Sequence, residues 1–147
     1  MVMTASEPAP NADWWHFSHA ADIGVGGAGT TLAEAFGNVA YAMTRVVTEA
    51  PVAAREAVAI HCHAPDAELL LVEWLNALIF EMATRQLLFG RFELSIADGE
   101  LRGQAWGERI DRQRHRPVVE VKGATYTALS VNQGGDGRWV ACCVIDV

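Results

Sequence analysis

Hydrophobic residues recur at helical spacing in two long segments of the chain. In residues 31–47 they lie three and four positions apart, which is the spacing of a helix that buries one face. Thr31, followed three positions later by Glu34, predicts a capping box at the start of this helix. Pro65 or Asp66 marks the start of the second helix, in residues 65–84, whose wider apolar face we expect to be largely buried.

Outside these helices the hydrophobic pattern has the two-residue period of strands. In residues 55–64, Val58 and Ile60 share one face of a half-buried strand. Asp98-Gly99, within residues 92–107, is typical of a type I′ turn and predicts a hairpin. Further strands are predicted in residues 14–27 (one strand or a pair), 117–131 and 138–147. The sequence therefore predicts an α+β fold of one domain, with two main helices packed on a largely antiparallel sheet.

Composition and charge narrow the range of functions. The chain has 147 residues, of which 51% are hydrophobic, as is typical of a globular domain. Its net charge of −7 disfavours direct binding to nucleic acid and suits a basic protein partner or a cation. Neither a membrane-spanning segment nor a signal peptide is predicted. We expect a cytoplasmic protein with a flexible leader at residues 1–13 and one domain at residues 14–147.

Several short patterns suggest chemistry but have simpler explanations. The three cysteines follow no disulfide or zinc-ligand spacing, so we expect them to be reduced and structural. His61 and His63 have the spacing of a chelating pair, but no third ligand lies nearby in sequence, which favours exposed strand histidines. The glycine-rich residues 24–31 lack the lysine of a phosphate-binding loop and favour a turn. Residues 18–22 contain the residue types of a hydrolase triad without a nucleophile elbow.

Two aspartates interrupt apolar strand segments. Asp22 lies in ADIGV, and Asp146 lies in CCVIDV beside the terminal carboxylate on Val147. If these strands are neighbours, the three carboxyl groups converge and raise one another's pKa unless a cation is present. A hard divalent ion with oxygen ligands, Ca²⁺ or Mg²⁺, is a natural neutraliser. The residues alone leave a second interpretation open, because aspartates at strand ends are also common in loops and caps.

Lys122 is the single lysine among 11 basic residues. A lysine offers a compact ammonium group with a tunable pKa, which arginine does not. The alternative explanation is chance in an arginine-rich composition.

Four separated segments of the chain together resemble the archease family. They are HFSHAADIGV, LLLVEWLNALIFEMATRQLLFGRF, WGERIDRQRHRPVVEVKGATYTALSV and RWVACCVIDV. They follow one another in the family's order and cover the chain from Trp15 to Val147. The resemblance implies the archease fold and an accessory protein rather than an enzyme.

The same resemblance implies a function and a set of site residues. Archeases promote the guanylylation of an RtcB-type RNA ligase, which then turns over repeatedly in tRNA splicing and RNA repair. A chaperone-like role toward a tRNA cytosine methyltransferase is the alternative. The implied metal is Ca²⁺, with Mg²⁺ or Mn²⁺ as alternatives, bound by Asp22, Asp146 and Val147. Lys122 matches the family's functional lysine, and His19 is expected to face the partner or its nucleotide.

Two residues depart from the family's pattern. Ala20 stands where the opening motif usually has threonine, and Thr127 stands where histidine usually follows Thr-Tyr. If the usual side chains support the metal site, we expect this chain to bind the ion more weakly or to prefer a different ion.

Overall fold

A computed structural model describes residues 13–147, which form two antiparallel sheets with helices packed between and against them. The strands are β1 (Trp14–His19), β2 (Asp22–Gly29), β3 (Glu56–His63), β4 (Leu87–Ala97), β5 (Glu100–Arg109), β6 (Gly123–Ala124), β7 (Ser130–Gln133) and β8 (Trp139–Asp146). The helices are α1 (Leu32–Val47), α2 (Ala67–Arg85) and the short α3 (Arg112–His115). Apart from Asp13, the leader expected at residues 1–13 lies outside the described residues. None of the described helices is long and apolar enough to cross a membrane.

The two sheets share one hydrophobic core. The five-stranded sheet has the order β1-β2-β8-β6, and β7 also pairs with β8; the three-stranded sheet has the order β3-β5-β4. Helix α1 packs on β2 of the first sheet and on β4 of the second, whereas α2 packs on β3 and β6. The largest fully buried side chains include Trp74, Phe36 and Phe89. The predicted α+β fold with antiparallel sheets is confirmed.

Both long helices begin at the capping residues that the sequence indicates. Thr31 Oγ1 accepts the backbone N–H of Glu34 at 3.0 Å. The carboxylate of Glu34 accepts the N–H of Thr30 at 3.1 Å rather than that of the cap residue itself, so the second half of the capping box is shifted by one residue. At the start of α2, Asp66 Oδ1 accepts the N–H of Leu69 at 2.8 Å. These bonds satisfy donors that a helix leaves unpaired at its first turn.

The predicted hairpin is confirmed and is longer than its sequence pattern indicates. Asp98 and Gly99 both have positive φ angles, 52° and 75°, as a type I′ turn requires. Strand β4 begins at Leu87 rather than at residue 92. Gln86 ends α2 in the left-handed conformation, with φ of 56°, so the chain reverses directly into the strand.

The continuous strand predicted for residues 117–131 is wrong. Only β6 and β7 form there, separated by a turn in which Ala128 has φ of 52°. Residues 117–122 are not part of either sheet. Near the start of this segment, the N–H of Val118 donates to Val47 O at 2.9 Å. Val121 is buried against the core. The valines on either side of Glu120 are therefore not the buried face of a strand, since only Val121 faces the core.

Gly107 allows the closest backbone approach in the three-stranded sheet. A Cβ at this position would lie 1.8 Å from Leu88 O. Because strand pairing holds β4 and β5 in place, we expect Gly107→Ala to lower the free energy of unfolding by about 3 kcal/mol in denaturant titrations. Gly135→Ala is the matched control, since a Cβ there meets nothing within 4 Å. Equal losses in the two variants would contradict this explanation.

Candidate metal centre at the end of the five-stranded sheet

Strands β2 and β8 bring the two aspartates to the same end of the sheet. Ile23 pairs with Ile145 in this antiparallel ladder, and the same register continued by one residue sets Asp22 opposite Asp146. Residues opposite each other in such a ladder have Cα atoms about 4.5–5.5 Å apart. Asp22 Oδ1 also accepts the backbone N–H of Val147 at 3.4 Å. The structure therefore brings together Asp22, Asp146 and Val147, the three residues expected to form a metal site.

Both carboxylates lie on the face of the sheet that is turned away from α1. A Cβ at Gly27 of β2 would lie 2.4 Å from Val39 N of α1, so the odd-numbered positions of β2 face this helix. Side chains alternate along a strand, which directs Asp22 to the opposite, outer face. Asp22 is half-buried and Asp146 is exposed. Their oxygen atoms are therefore accessible from solvent.

His19 lies beside this pair on the neighbouring strand. It is the register partner of Asp22 across the tight turn that joins β1 to β2, and it is exposed. Ala20, in the turn, has φ of 51°, a conformation that alanine adopts uncommonly. The methyl group of Ala20 supplies no hydroxyl to the site.

Lys122 reaches the end of β8 from the other side. Its backbone N–H donates to Asp146 O at 2.8 Å, and the next residue, Gly123, pairs with Asp146. The side chain is exposed and lines a groove beside α2. Within residues 13–147 the ammonium group forms no ion pair. The main chain of Lys122 is thus anchored next to the aspartates while its ammonium group stays available.

Asn76 is a positioning residue that the sequence pattern did not single out for this role. Its side-chain Oδ1 accepts the N–H of Ala124 at 2.9 Å, which ties β6 to α2. Because β6 directly follows Lys122, this bond helps to fix the lysine beside β8. The signal in the sequence was a polar residue interrupting the apolar run of the second helix.

A buried ionic cluster around Glu108 anchors the chain that leads to Lys122. Glu108 is 2% exposed and accepts bonds from Arg114 Nη2 at 2.6 Å and from Ala53 N–H at 2.7 Å. His115 Nδ1 accepts the N–H of Asp111, so its Nε2 carries the proton and donates to Glu108 at 3.1 Å. The hydrogen bonds from Arg114, followed by those from Ala53 and His115, hold the pKa of Glu108 well below its usual range despite its burial. This cluster was not predicted from the sequence.

The two histidines that have the spacing of a chelating pair are exposed at the surface. His61 and His63 are exposed on β3, and His61 Nε2 lies 3.1 Å from Glu100 Oε2. In the described part of the chain, no three side chains of histidine, cysteine, aspartate or glutamate form a group suited to a metal ion. The candidate centre accordingly consists of two carboxylates and main-chain atoms.

The cysteines have the arrangement expected of structural thiols. All three are free. Cys143 points into the core and the adjacent Cys142 is only half-buried, as the alternation of a strand requires. Burial raises the pKa of Cys143 to about 12 and that of Cys62 to about 11, so both stay protonated at neutral pH.

Comparison with known proteins shows the family to which this chain belongs. The model of the Archease protein family (MTH1598/TM1083) matches residues 14–147. The chain belongs to the archease family. The resemblance carried by the four sequence segments is confirmed.

Individual archeases match over nearly their whole length. Protein archease of Pyrococcus furiosus is 38% identical over 139 residues, which cover 91% of this chain and 98% of that protein. Protein archease of Methanosarcina acetivorans is 32% identical over 146 residues, which cover 95% and 99%. The solution structure of Methanobacterium thermoautotrophicum protein 1598 superimposes with a TM-score of 0.80 at 31% identity, covering 92% of this chain and 99% of that one. The archease fold is therefore confirmed as well.

Proposed function

We propose that this archease is a metal-binding accessory protein that activates an RtcB-type RNA ligase. It would promote guanylylation of the ligase and so allow multiple turnover in tRNA splicing and RNA repair, without being an enzyme itself. The observation that carries the proposal is the convergence of Asp22, Asp146 and Val147 at one end of the sheet, with Lys122 hydrogen-bonded to the same strand end. Membership of the archease family supports it.

The donor atoms at this strand end suit a hard cation. Two carboxylates and the main-chain oxygens of Val147 are the ligand type that Ca²⁺ prefers, with about six to eight oxygens in total. Water would complete the shell, because two side chains supply only part of it. Bound there, the ion would neutralise two carboxylates that otherwise repel each other. Ca²⁺ is our first choice, and Mg²⁺ and Mn²⁺ are the alternatives, since Mg²⁺ also binds through one or two carboxylates while keeping several waters.

Lys122 and His19 are the exposed residues next to the proposed site: Lys122 bonds through its main chain to Asp146, and His19 is the register partner of Asp22. The exposed ammonium of Lys122 suits a phosphate oxygen of the ligase's nucleotide or a carboxylate of the ligase. The exposed ring of His19 is available to the same partner surface. The net charge of −7 favours docking on a basic protein over contact with RNA.

The test is guanylylation and multiple-turnover ligation by a purified RtcB-type ligase with and without this protein. We expect Lys122→Ala to reduce the stimulation about tenfold or more, because an ammonium that contacts a phosphate is lost. Arg102→Ala is the control, since Arg102 is an exposed cation on the other sheet. Full stimulation by Lys122→Ala would refute the assigned role of this lysine.

A second candidate function is a chaperone-like one toward a tRNA cytosine methyltransferase. The exposed apolar side chains of Val118 and Phe80, at 74% and 62% exposure, favour it, because a partly unfolded chain can bury apolar surface against them. Light scattering of the aggregating methyltransferase tests it. Suppression of aggregation that persists with a metal chelator and is lost in Phe80→Ser would support this function over the first.

A further inference from the structure

A groove runs between the second half of α2 and the chain segment that precedes β6. Its volume is about 580 Å³, within the range of roughly 300–1,000 Å³ typical of ligand sites. We call it the valine groove; it is lined by Ile79, Met82, Pro117, Val118 and Val119, with the core residue Leu88 also contributing. Most of the residues that line it are apolar, and polar side chains lie among them.

The exposed wall of the valine groove is held in place by the rest of the fold. Val118 is 74% exposed, yet its N–H donates to Val47 O at 2.9 Å. Just upstream, Arg114 and His115 bond to the buried carboxylate of Glu108. Apolar side chains displayed on an anchored segment lose little conformational freedom when a partner covers them. The groove is thus preorganised for binding.

The charge around the valine groove is opposite to that of the rest of the protein. Of the 11 basic and 18 acidic residues in the chain, residues 109–122 hold five basic and only two acidic ones. Arg112 and Lys122 line the groove, together with the single carboxylate of Glu120. Arg114 is already paired with Glu108. A partner that covers the groove would therefore meet mainly positive charge at its rim.

We propose that the valine groove binds an amphipathic acidic peptide segment of a partner protein. Apolar side chains of that segment fill the groove, and its carboxylates pair with Arg112 and Lys122. Burying the exposed valines supplies the hydrophobic gain, and the basic rim selects acidic over basic sequences. This assignment shares Lys122 with the ligase proposal, but it requires neither a bound metal nor any particular identity of the partner.

The experiment is a selection from a random dodecapeptide library displayed on phage, with the wild-type protein as bait. Clones are then compared on Val118→Asp and on the matched control Val140→Asp, which alters a 38% exposed valine on β8 that does not line the groove. We expect a set of clones that bind the wild type and Val140→Asp but not Val118→Asp, enriched in aspartate and glutamate next to large apolar residues. The synthetic consensus peptide should bind Arg112→Glu about tenfold more weakly than the wild type.

Several outcomes would overturn the proposal. These are the absence of clones that depend on Val118, a groove-dependent set without acidic enrichment, or unchanged affinity of the consensus peptide for Arg112→Glu. Self-association of the wild type in sedimentation that is abolished by Val118→Asp would also contradict the proposal, because a second copy of this chain would then be the occupant. Circular dichroism of each variant checks folding, and Arg112→Glu decides alone if Val118→Asp does not fold. Because no ligase is present, failure here leaves the ligase proposal intact.

Discussion

Asp22→Asn is expected to weaken Ca²⁺ binding by roughly a hundredfold or more, because it removes one of two carboxylates in the proposed site. Asp146→Asn should have the same effect, since both residues lie at the same end of the sheet. Isothermal titration calorimetry measures the affinity directly. A second readout is thermal unfolding: at the same concentration, Ca²⁺ should raise the Tm of the wild type and raise that of either variant much less. Without metal, both variants should be at least as stable as the wild type, because a like-charge repulsion is relieved.

The control for this experiment is Asp98→Asn. Asp98 is in the type I′ turn between β4 and β5, where asparagine is equally favoured, so its substitution removes one negative charge without disturbing the fold. It should bind Ca²⁺ like the wild type. If Asp22→Asn and Asp98→Asn bound the ion equally well, the site would have to lie elsewhere. If Asp22→Asn and Asp146→Asn lost ligase stimulation but still bound the metal, the metal would not explain the function.

Glu108→Gln is expected to lower the free energy of unfolding by about 3 kcal/mol at pH 7. The carboxylate is buried and accepts bonds from Arg114, His115 and Ala53. Glutamine presents one oxygen in place of two and leaves the guanidinium of Arg114 without its counter-ion. Denaturant titrations followed by circular dichroism give the difference. Glu49→Gln is the control, since Glu49 is exposed and, within residues 13–147, its carboxylate forms no side-chain hydrogen bond or ion pair.

The contribution of Glu108 also has a defined pH dependence. Its pKa lies well below the usual value of 4.5 in the folded protein, because of the bonds from Arg114. Above pH 4.5 the carboxylate is ionised in both states, and the stabilisation is fully present. As the pH falls below this value, the unfolded chain takes up the proton first, so the stabilisation is progressively lost. Stability should therefore fall less steeply below pH 4.5 in Glu108→Gln than in the wild type; parallel curves would contradict the assigned role.

The local elements could be predicted because their signals lie within a few residues of one another. Thr31 and Asp66 cap helices through bonds that span three residues, and the Asp98-Gly99 turn depends on its own backbone angles. The prediction for residues 117–131 was wrong because a local pattern does not show whether a segment has a strand beside it to pair with. Three valines close together suggested a strand, but only Val121 faces the core, whereas Val118 and Val119 stay exposed on a segment outside both sheets.

The candidate site was predictable in part. Two aspartates at the ends of apolar segments and a solitary lysine were visible as unusual residues, and the family resemblance assigned them a common role. Neither Asn76 nor the cluster around Glu108 was assigned a role. Their partners, Ala124 and Arg114 among them, are recognisable only once the fold is known.

The sequence by itself determined the α+β class, the helix starts, the hairpin turn and the family, because each depends on local pattern or on motifs in order. Only the tertiary structure decided that Asp22 lies beside Asp146. These residues are far apart in sequence and meet because β2 pairs with β8 in one register out of many. A shift of one residue would turn every side chain of a strand to the other face and separate the carboxylates. The buried side chains of Val25 and Cys143 hold that register, since a slip would expose both.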